Sequence, residues 1–292
     1  MVKKLYCPIC KNNKINSFIK GNMKLNYKGA IDVKCTSMSN NLKPTLYKCQ
    51  NCSIVFSQFV NSKFESLYKD VVDIDYLKQM DMKRKSFEYF LNTIDKYINK
   101  NKSVLELGSY YGVLGSLIRK RVKNYTGIEF SKAASNYAAK KFNLRIKSNF
   151  SQIKKNKYDL IILCDVIEHV DNPLKIAKQL RSVLNKNGVI IMSTMDIESF
   201  YAKMLGINYP WIMPMHKFYF SFPSLQFVLS KANLKIVKYH YEKKITSLGY
   251  LLKKISVILF GKIFNNINID NKYLNKIYVK LNFFDLKIFI IK

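Results

Sequence analysis

Short apolar runs alternate with amphipathic stretches from about residue 101 onward, and this alternation constrains the fold more than any other feature. The runs are Ser103–Leu107, Tyr125–Phe130, Tyr158–Leu163, Val189–Thr194 and Leu234–His240. Helices are predicted between them, around 113–121, 132–141, 173–184 and 223–232. Because parallel strands need a long crossover connection, usually a helix, this order predicts an α/β fold with helices on both faces of a parallel sheet.

The sequence on either side of this alternation divides into further regions. Residues 1–62 contain five of the six cysteines and are predicted to form a module of loops and strands. Residues 63–100 carry apolar side chains at helical spacing and are predicted as a connecting helical segment. The α/β core is then expected over 101–245. Residues 246–292 are predicted as an apolar, lysine-rich helical segment that ends in a final sheet strand at 285–291.

Composition limits the class of protein. The 292 residues include 50 Lys and Arg against 19 Asp and Glu, a formal charge of +31, and 48% are hydrophobic, which excludes a disordered chain. Only five basic residues are arginines, the side chain that reads guanine and clamps phosphate, so the charge favours compositional bias over nucleic-acid binding. The apolar stretches fall short of the roughly 20 residues of a membrane helix. With no apolar run before the first cysteines, we expect a reduced, cytoplasmic protein.

A glycine-containing turn joins the first predicted strand to its helix. Gly108 suits a tight turn of positive φ, and Gly112 lets the backbone approach a ligand at the helix start. The next strand ends at Glu129, about 20 residues on, where a carboxylate can bind ribose hydroxyls. Each feature alone is also typical of an ordinary strand–helix turn or a solvated strand end, but together they favour a nucleoside cofactor.

Four segments in this region resemble class I S-adenosylmethionine-dependent methyltransferases. ELGSYYG (106–112) is similar to their cofactor-binding glycine loop, and GIEFS (127–131) to their ribose-binding strand end. YDLIILCDVIEHV (158–170) resembles the strand that leads into the site, and LNKNGVIIM (184–192) a typical helix–turn–strand. The resemblance implies a Rossmann-like, seven-stranded methyltransferase sheet and S-adenosylmethionine as the cofactor.

The resemblance extends to a bacterial subgroup with an N-terminal cysteine module, through the segments Met195–Gly206, Pro214–Ser221 and 281–292. It implies that the cofactor contacts Glu106, Gly108, Ser109, Gly112, Glu129, Phe130, Asn149, Phe150 and Asp165. Among these, Glu106 would lie near the methionine amino group and Asn149 beside the adenine. The chain departs from the family at Tyr110, where a glycine is usual, and at Lys186-Asn187, which replaces Pro-Gly.

Two C-x-x-C pairs predict a metal centre in the N-terminal module. Two residues between thiolates let both sulfurs reach one tetrahedral ion, and a second pair completes a four-thiolate shell. The predicted ligands of a structural zinc ion in this zinc-ribbon-like module are Cys7, Cys10, Cys49 and Cys52. Reduced structural thiols are the alternative reading. Cys35 is a substitute ligand, and Cys164 is expected to be a buried apolar residue.

Histidines and aromatic residues supply the candidates for acceptor chemistry. His169 follows the third apolar run and His216 lies in an aromatic segment, so both are candidate general bases as well as candidate structural hydrogen-bonding residues. His240 is expected to be structural. Five aromatic residues are predicted either to cover the acceptor pocket or to pack in the core: Tyr201, Trp211, Phe218, Tyr219 and Phe220.

The predicted function is therefore methyl transfer to a small-molecule or glycan-type acceptor, including a nucleotide sugar. Two alternatives stay open: an RNA- or protein-directed methyltransferase that uses the basic surface and the zinc module, and a non-catalytic scaffold, suggested by Tyr110. The basic apolar stretch 248–264 is expected to cover the sheet, with a peripheral membrane contact as the alternative reading.

Overall fold

The computed structural model describes residues 5–24, 42–60, 72–153, 155–252 and 273–292. Its central element is a seven-stranded sheet in the order β10-β13-β8-β7-β4-β5-β6. The strands are β4 (Ser103–Leu107), β5 (Asn124–Ile128), β6 (Ile146–Lys147), β7 (Tyr158–Cys164), β8 (Leu184–Met195), β10 (Ile236–Tyr241) and β13 (Leu286–Ile291). This sheet confirms the predicted α/β methyltransferase architecture.

Five neighbouring strands of this sheet run parallel, and one edge departs from the pattern. Strand β4 is parallel to both β5 and β7, and β7 is parallel to β8. Strand β13 inserts antiparallel between β8 and β10. Because the parallel strands all end at one edge of the sheet, the residues that follow β4, β5 and β7 are brought together there.

Helices flank the sheet and connect its strands. They are α1 (Ile74–Lys78), α2 (Met80–Thr93), α3 (Val113–Ile118), α4 (Lys132–Phe142), α5 (Pro173–Val183), α6 (Phe200–Leu205) and α7 (Phe222–Ser230). Short 3-10 turns lie at Asp95–Tyr97, Arg119–Arg121, Phe150–Ile153, Gly206–Asn208 and Leu274–Lys276. Helices α3, α4 and α5 begin where the alternation predicts them, with Ser131 capping α4 and Asn172 capping α5 through their side chains.

The N-terminal module forms a second sheet, and the strand at one edge of this sheet comes from the core. Strands β1 (Ile15–Ile19), β2 (Leu46–Cys49) and β3 (Val55–Ser57) pair antiparallel, and β9 (Phe218–Tyr219) pairs with β3. Residues of the module and the core therefore share one hydrophobic cluster, in which Cys7, Phe56 and Phe218 are fully buried. The two regions fold against each other as one packed body.

Three of the five aromatic residues predicted as lid or core belong to the core. Phe218, Tyr219 and Phe220 are at most 1% exposed. Trp211 is partly buried and donates its indole N–H to Asp285 at 3.1 Å. Tyr201 stacks on Phe283 with ring centroids 4.7 Å apart. The core-packing alternative is thus confirmed for the three residues around β9.

The segment predicted to be helical from residue 246 is helical at residues 248–252 but has a strand at each of its ends. Strands β11 (Lys244–Ser247) and β12 (Tyr278–Leu281) form a two-stranded antiparallel sheet. Ser86 of α2 donates to the carbonyl oxygen of Ile245, which fixes this sheet to the helical layer. Most of the stretch 248–264, considered above for membrane contact, lies outside the described residues. Within the described parts of the chain, no helix combines the length and apolar character needed to cross a membrane.

The shared cluster predicts that the module and the core unfold together. Phe218→Ala removes a fully buried ring from their junction, and we expect the free energy of unfolding to fall by about 3–5 kcal/mol. Phe200→Ala is the matched control, because this ring is 81% exposed and its loss is expected to change stability by less than about 0.5 kcal/mol. Urea denaturation followed by circular dichroism and tryptophan fluorescence measures both; equal effects of the two variants would contradict the shared core.

Candidate active site at the carboxyl edge of the sheet

Two glycines in left-handed conformation shape the loop between β4 and α3. Gly108 has φ +75° and Gly112 has φ +78°. A Cβ atom on Gly108 would lie 2.5 Å from a methyl carbon of Val166, and one on Gly112 would lie 2.7 Å from Cβ of Ala138. The positive φ predicted for Gly108 is therefore confirmed, and at both glycines the space of a Cβ is filled by a neighbouring side chain. Approach of a ligand to Gly112 stays a prediction.

Glu129 fixes this loop to the end of β5. Its carboxylate accepts hydrogen bonds from the backbone N–H of Tyr110 at 2.8 Å and from that of Ser131 at 2.7 Å. The backbone N–H groups of Gly108 and Ser109 both donate to the carbonyl oxygen of Ile128. Glu129 is 4% exposed, and burial raises the pKa of its carboxyl. The predicted glycine loop and the predicted ribose-binding carboxylate are thus in direct contact.

Glu106 is a second buried carboxyl at the same edge. It accepts a hydrogen bond from the hydroxyl of Tyr125 at 2.6 Å, and burial raises its pKa to about 8. The hydroxyl of Ser109 is also buried and has no hydrogen-bond partner among the described residues. An unpaired buried hydroxyl costs free energy, so Ser109 is a candidate ligand-binding group.

Tyr110, the departure from the family pattern, is engaged with the segment that leads into α1. It has φ +44°, and its hydroxyl donates to the carboxylate of Asp73 at 3.0 Å. Its ring packs edge-on against Tyr76 and Tyr111, with centroids 4.7 and 4.6 Å away. Asp73 also caps α1 by accepting from the backbone N–H of Tyr76. This tyrosine cluster closes one side of the loop.

The residues assigned to the adenine side lie after β5 and β6. Phe130 follows Glu129 and is half exposed. Asn149 is exposed and caps the turn Phe150–Ile153, accepting from the backbone N–H of Ser151 at 3.0 Å. Phe150 is buried in the core against the sheet. Since β6 is parallel to β5, these residues lie at the same edge of the sheet as Glu129.

Asp165 belongs to a charged triplet with two residues that the sequence analysis missed. The ammonium of Lys244 lies 3.0 Å from Asp165 and 2.9 Å from Glu242. Burial opposes ionisation of Asp165, but the positive charge of Lys244 outweighs it and lowers the pKa. The second carboxyl oxygen of Glu242 is buried without a partner in the described chain.

Glu168, His169 and His216 form a third cluster beside this triplet. The imidazole rings are edge-on with centroids 4.5 Å apart. Nδ1 of His169 lies 3.3 Å from the carbonyl oxygen of Met215, and Nδ1 of His216 lies 2.7 Å from that of Trp211. Burial lowers the pKa of His169 to about 4 and that of His216 further below its usual range, so both rings are neutral at pH 7.

Acidic side chains dominate this edge in a strongly basic chain. The charge of Glu129 raises the pKa of Glu106, and the charge of Asp165 raises the pKa of Glu168. The charges of Glu106 and Glu242 both raise the pKa of the Cys164 thiol at the end of β7. Five of the 19 acidic residues therefore converge here: Glu106, Glu129, Asp165, Glu168 and Glu242. Lys244 is the cation that contacts them among the described ion pairs. Burial raises the pKa of four of these carboxyls, and the fifth, Asp165, is paired with Lys244, so the edge offers polar groups whose charge depends on what binds beside them.

The four predicted zinc ligands converge in the N-terminal module. Sulfur atoms of Cys7 and Cys52 are 3.6 Å apart, those of Cys10 and Cys49 are 3.5 Å apart, and all four lie within 4.8 Å of one another. Zinc–sulfur bonds of about 2.3 Å at tetrahedral angles place sulfurs about 3.8 Å apart, so the thiols fit a zinc ion. Cys35 lies outside the described residues.

Both knuckles have the same backbone geometry. The N–H of Lys11 donates to Cys7 O and that of Ser53 to Cys49 O, each at 3.0 Å. Lys11 has φ +62° and Ser53 has φ +58°, which is why glycine is common after such pairs. The module therefore keeps the knuckle turn without the glycine. Cys164, elsewhere in the chain, lies at the end of β7 and is partly buried.

Sequence comparisons identify relatives of the chain. A family described as "Methyltransferase domain" matches residues 78–239. The chain is 26% identical over 159 residues to a ubiquinone biosynthesis O-methyltransferase of Pelagibacter ubique, covering 51% of this chain and 64% of that protein. It is 38% identical over 79 residues to a tRNA U34 carboxymethyltransferase of Campylobacter jejuni, covering 27% and 24%. The chain thus spans less than two thirds of these relatives.

Comparison with solved structures supports the architecture. A SAM-dependent methyltransferase from Archaeoglobus fulgidus superposes with a TM-score of 0.50 and 19% identity, covering 75% of this chain and all of that one. At this level of identity the likeness establishes the fold, and it agrees with the strand order described above.

The raised pKa of Glu106 makes a pH prediction. The folded chain holds a proton on Glu106 up to about pH 8, whereas the unfolded chain releases it near the ordinary pKa. The contribution of protonated Glu106 to stability is therefore complete below its ordinary pKa of 4.5, and it is lost as the pH rises from there through about 8. We expect Glu106→Gln to reduce the fall in unfolding free energy between pH 5 and 8.5 by on the order of 1–3 kcal/mol. Urea titrations measure it, with the exposed Glu88→Gln as control; matching slopes would contradict the assignment.

Proposed function

The chain belongs to the methyltransferase-domain family, and we propose that it transfers a methyl group from S-adenosylmethionine to a small-molecule or glycan-type acceptor. The observation that carries this proposal is the convergence of five carboxyls at the sheet edge of a chain with net charge +31. S-adenosylmethionine carries a sulfonium and an ammonium group beside its carboxylate. Carboxyls whose pKa is raised by burial lose their protons more readily when a cation binds beside them, so this site complements those two cations better than the phosphates of a nucleotide.

The proposed cofactor contacts follow the two ends of this ligand. Glu129, whose oxygens retain free lone pairs beside the two backbone N–H groups, is proposed to accept hydrogen bonds from the ribose hydroxyls. Glu106 and the unpartnered hydroxyl of Ser109 are proposed to face the methionine end. Phe130, Asn149 and Phe150 are proposed for the adenine side, and Asp165 for the methionine side next to the acceptor.

The charges also bear on the acceptor. Asp165, Glu168 and Glu242 lie on the side of the site that carries the histidines, with Lys244 bound between two of them. A phosphate in this place would meet carboxylates before cations. We therefore favour a neutral or cationic acceptor, such as a sugar hydroxyl or amine, over the nucleotide sugars considered from the sequence.

Methyl transfer asks little covalent chemistry of the protein. The acceptor attacks the methyl carbon in line with the carbon–sulfur bond, and the neutral thioether leaves with the electron pair. The chain must align the two molecules and assist departure of the acceptor's proton. His169 and His216, the predicted candidates on this side, are both neutral, and their bonds to carbonyl oxygens leave the lone pair on Nε2. Such a lone pair can either accept the proton or bind a metal ion that acidifies the acceptor.

An RNA acceptor is the second candidate. The partial match to a tRNA-modifying enzyme and the excess of lysine favour it, whereas the acidic site interior disfavours it. Incubating the protein with labelled S-adenosylmethionine and fractionated cell extract separates the two, since label in RNA or in a small molecule identifies the acceptor class directly.

Loss of Glu129 tests cofactor binding. In Glu129→Ala the proposed ribose contact disappears together with the carboxylate that fixes the glycine loop, so we expect S-adenosylmethionine affinity to fall at least about 100-fold, the equivalent of 2.7 kcal/mol or more. Isothermal titration calorimetry measures it, and Glu198→Ala, a surface carboxylate paired with Lys48, is the control. Unchanged affinity in a folded Glu129→Ala protein would remove the ribose assignment, and no binding by the wild type would favour the scaffold alternative.

We also propose that the four thiolates hold one structural zinc ion, since they leave no open coordination position. Thiolates bound to zinc need a reducing compartment, which agrees with the predicted cytoplasmic location. Cys10→Ser should lose zinc and lower the thermal midpoint by roughly 5 °C or more, while Cys164→Ser should keep it. Elemental analysis and calorimetric scans measure both; zinc retained in Cys10→Ser would contradict this centre.

A further inference from the structure

Glu168, His169 and His216 offer one ligand atom each within 4.8 Å of the others. We propose that these three side chains bind a divalent first-row transition-metal ion of the zinc type at the acceptor side of the site. The set comes from two distant parts of the chain, the loop after β7 and the segment before β9. Two imidazoles and one carboxylate are a ligand set that zinc and its neighbours accept.

The hydrogen bonds of the two histidines leave the correct nitrogen free. A carbonyl oxygen can only accept, so Nδ1 of His169 and of His216 must each carry the proton donated to Met215 O and Trp211 O. The lone pair of both rings is then on Nε2. Backbone carbonyls that hold the far nitrogen of a metal-binding imidazole are a regular feature of metal sites, because they fix the tautomer and the ring plane.

Glu168 is held in the same way. The hydroxyl of Thr194 donates to its Oε2 at 3.1 Å, and its backbone carbonyl accepts the N–H groups of Lys217 and Phe218 at 2.9 and 3.1 Å. These last bonds tie the loop of Glu168 and His169 to the residue that follows His216. All three ligands are therefore positioned by the fold without any ion.

No described ion pair compensates the carboxyl of Glu168 in this cluster, so a bound cation could do so. Glu168 is 1% exposed and has no ion-pair partner among the described salt bridges. The lysines whose charges act on these three side chains each have another partner. Lys217 pairs with Asp171, Lys43 donates to the carbonyl oxygen of Ile212, and Lys244 pairs with Asp165 and Glu242. Burial disfavours the charged form of Glu168, and a divalent ion bound at this point would offset that cost.

Three protein ligands distinguish this site from the cysteine centre. Four thiolates occupy all four coordination positions of a zinc ion, whereas two imidazoles and a carboxylate leave the fourth position open to an acceptor oxygen. A hydroxyl bound there is acidified by the ion, so its proton goes to water as the oxygen bonds to the methyl carbon and the carbon–sulfur bond breaks. In this arrangement the histidines are ligands and not proton acceptors. This catalytic consequence rests on the proposed function; the metal site itself does not.

Cobalt substitution of the full chain tests the site. Protein produced with Co²⁺ in place of zinc should contain about two equivalents, one in each centre. Thiolate-bound cobalt absorbs strongly in the near ultraviolet through sulfur-to-metal charge transfer, and cobalt bound to nitrogen and oxygen does not. We expect His216→Ala, and independently Glu168→Gln, to lose one equivalent with the charge-transfer band unchanged. His240→Ala, outside the cluster, should keep both, and Cys10→Ser should lose the other equivalent together with the band.

Each result has one meaning. One equivalent in the wild type, or two in a folded His216→Ala or Glu168→Gln protein, overturns the site; if His216→Ala does not fold, Glu168→Gln decides, since it keeps the shape of the side chain. Calorimetry with S-adenosylmethionine on the same samples separates this proposal from the preceding one. Cofactor binding without the second ion overturns the metal site alone, and the second ion without cofactor binding overturns the methyltransferase proposal alone.

Discussion

The carboxylate of Glu129 is the contact on which the arrangement of the site depends. It joins the backbone of the glycine loop to the start of α4, through the N–H groups of Tyr110 and Ser131. The loop needs this tether because every second residue has a positive φ, at Gly108, Tyr110 and Gly112. Its two carboxyl oxygens accept both backbone N–H groups, so a single side chain holds the turn and the helix start in fixed positions.

The junction between the cysteine module and the core gives that module a direct path to the acceptor side. The carbonyl oxygen of Lys217 accepts the N–H of Ser57 in β3, and the N–H of Lys217 donates to the carbonyl oxygen of Glu168. One backbone unit therefore connects the module's sheet to the loop that carries Glu168 and His169. Phe218, the next residue, is fully buried, so the module's sheet and the loop that carries the histidine cluster are packed together.

The local sequence pattern was sufficient to predict the parallel strands of the large sheet, but it did not predict the small two-stranded sheet that packs beside it. Ser103–Leu107 is both the predicted run and the observed strand, because a run of this length that ends at a glycine turn is typical of a buried strand and too short for a typical helix. Lys244–Ser247 and Tyr278–Leu281 instead pair across a long separation in sequence, which no local pattern records. Lys244 was missed for the same reason: among 50 basic residues, nothing but its place in the fold distinguishes the one that lies between Asp165 and Glu242. The knuckles and the glycine loop were found because their spacing is itself the geometric requirement.

The contrast between a basic surface and an acidic site explains why composition alone was misleading. Net charge reports the average over all side chains, and lysines on a surface are screened within about 10 Å at ordinary ionic strength. A ligand inside the crevice meets the buried carboxyls at closer range and in a less polar medium, where each charge has a larger effect. The surface therefore governs which molecules approach the protein, and the interior governs which group is held at the end of the strands. A sulfonium donor satisfies the interior requirement, and an uncharged acceptor approaches without being repelled by either.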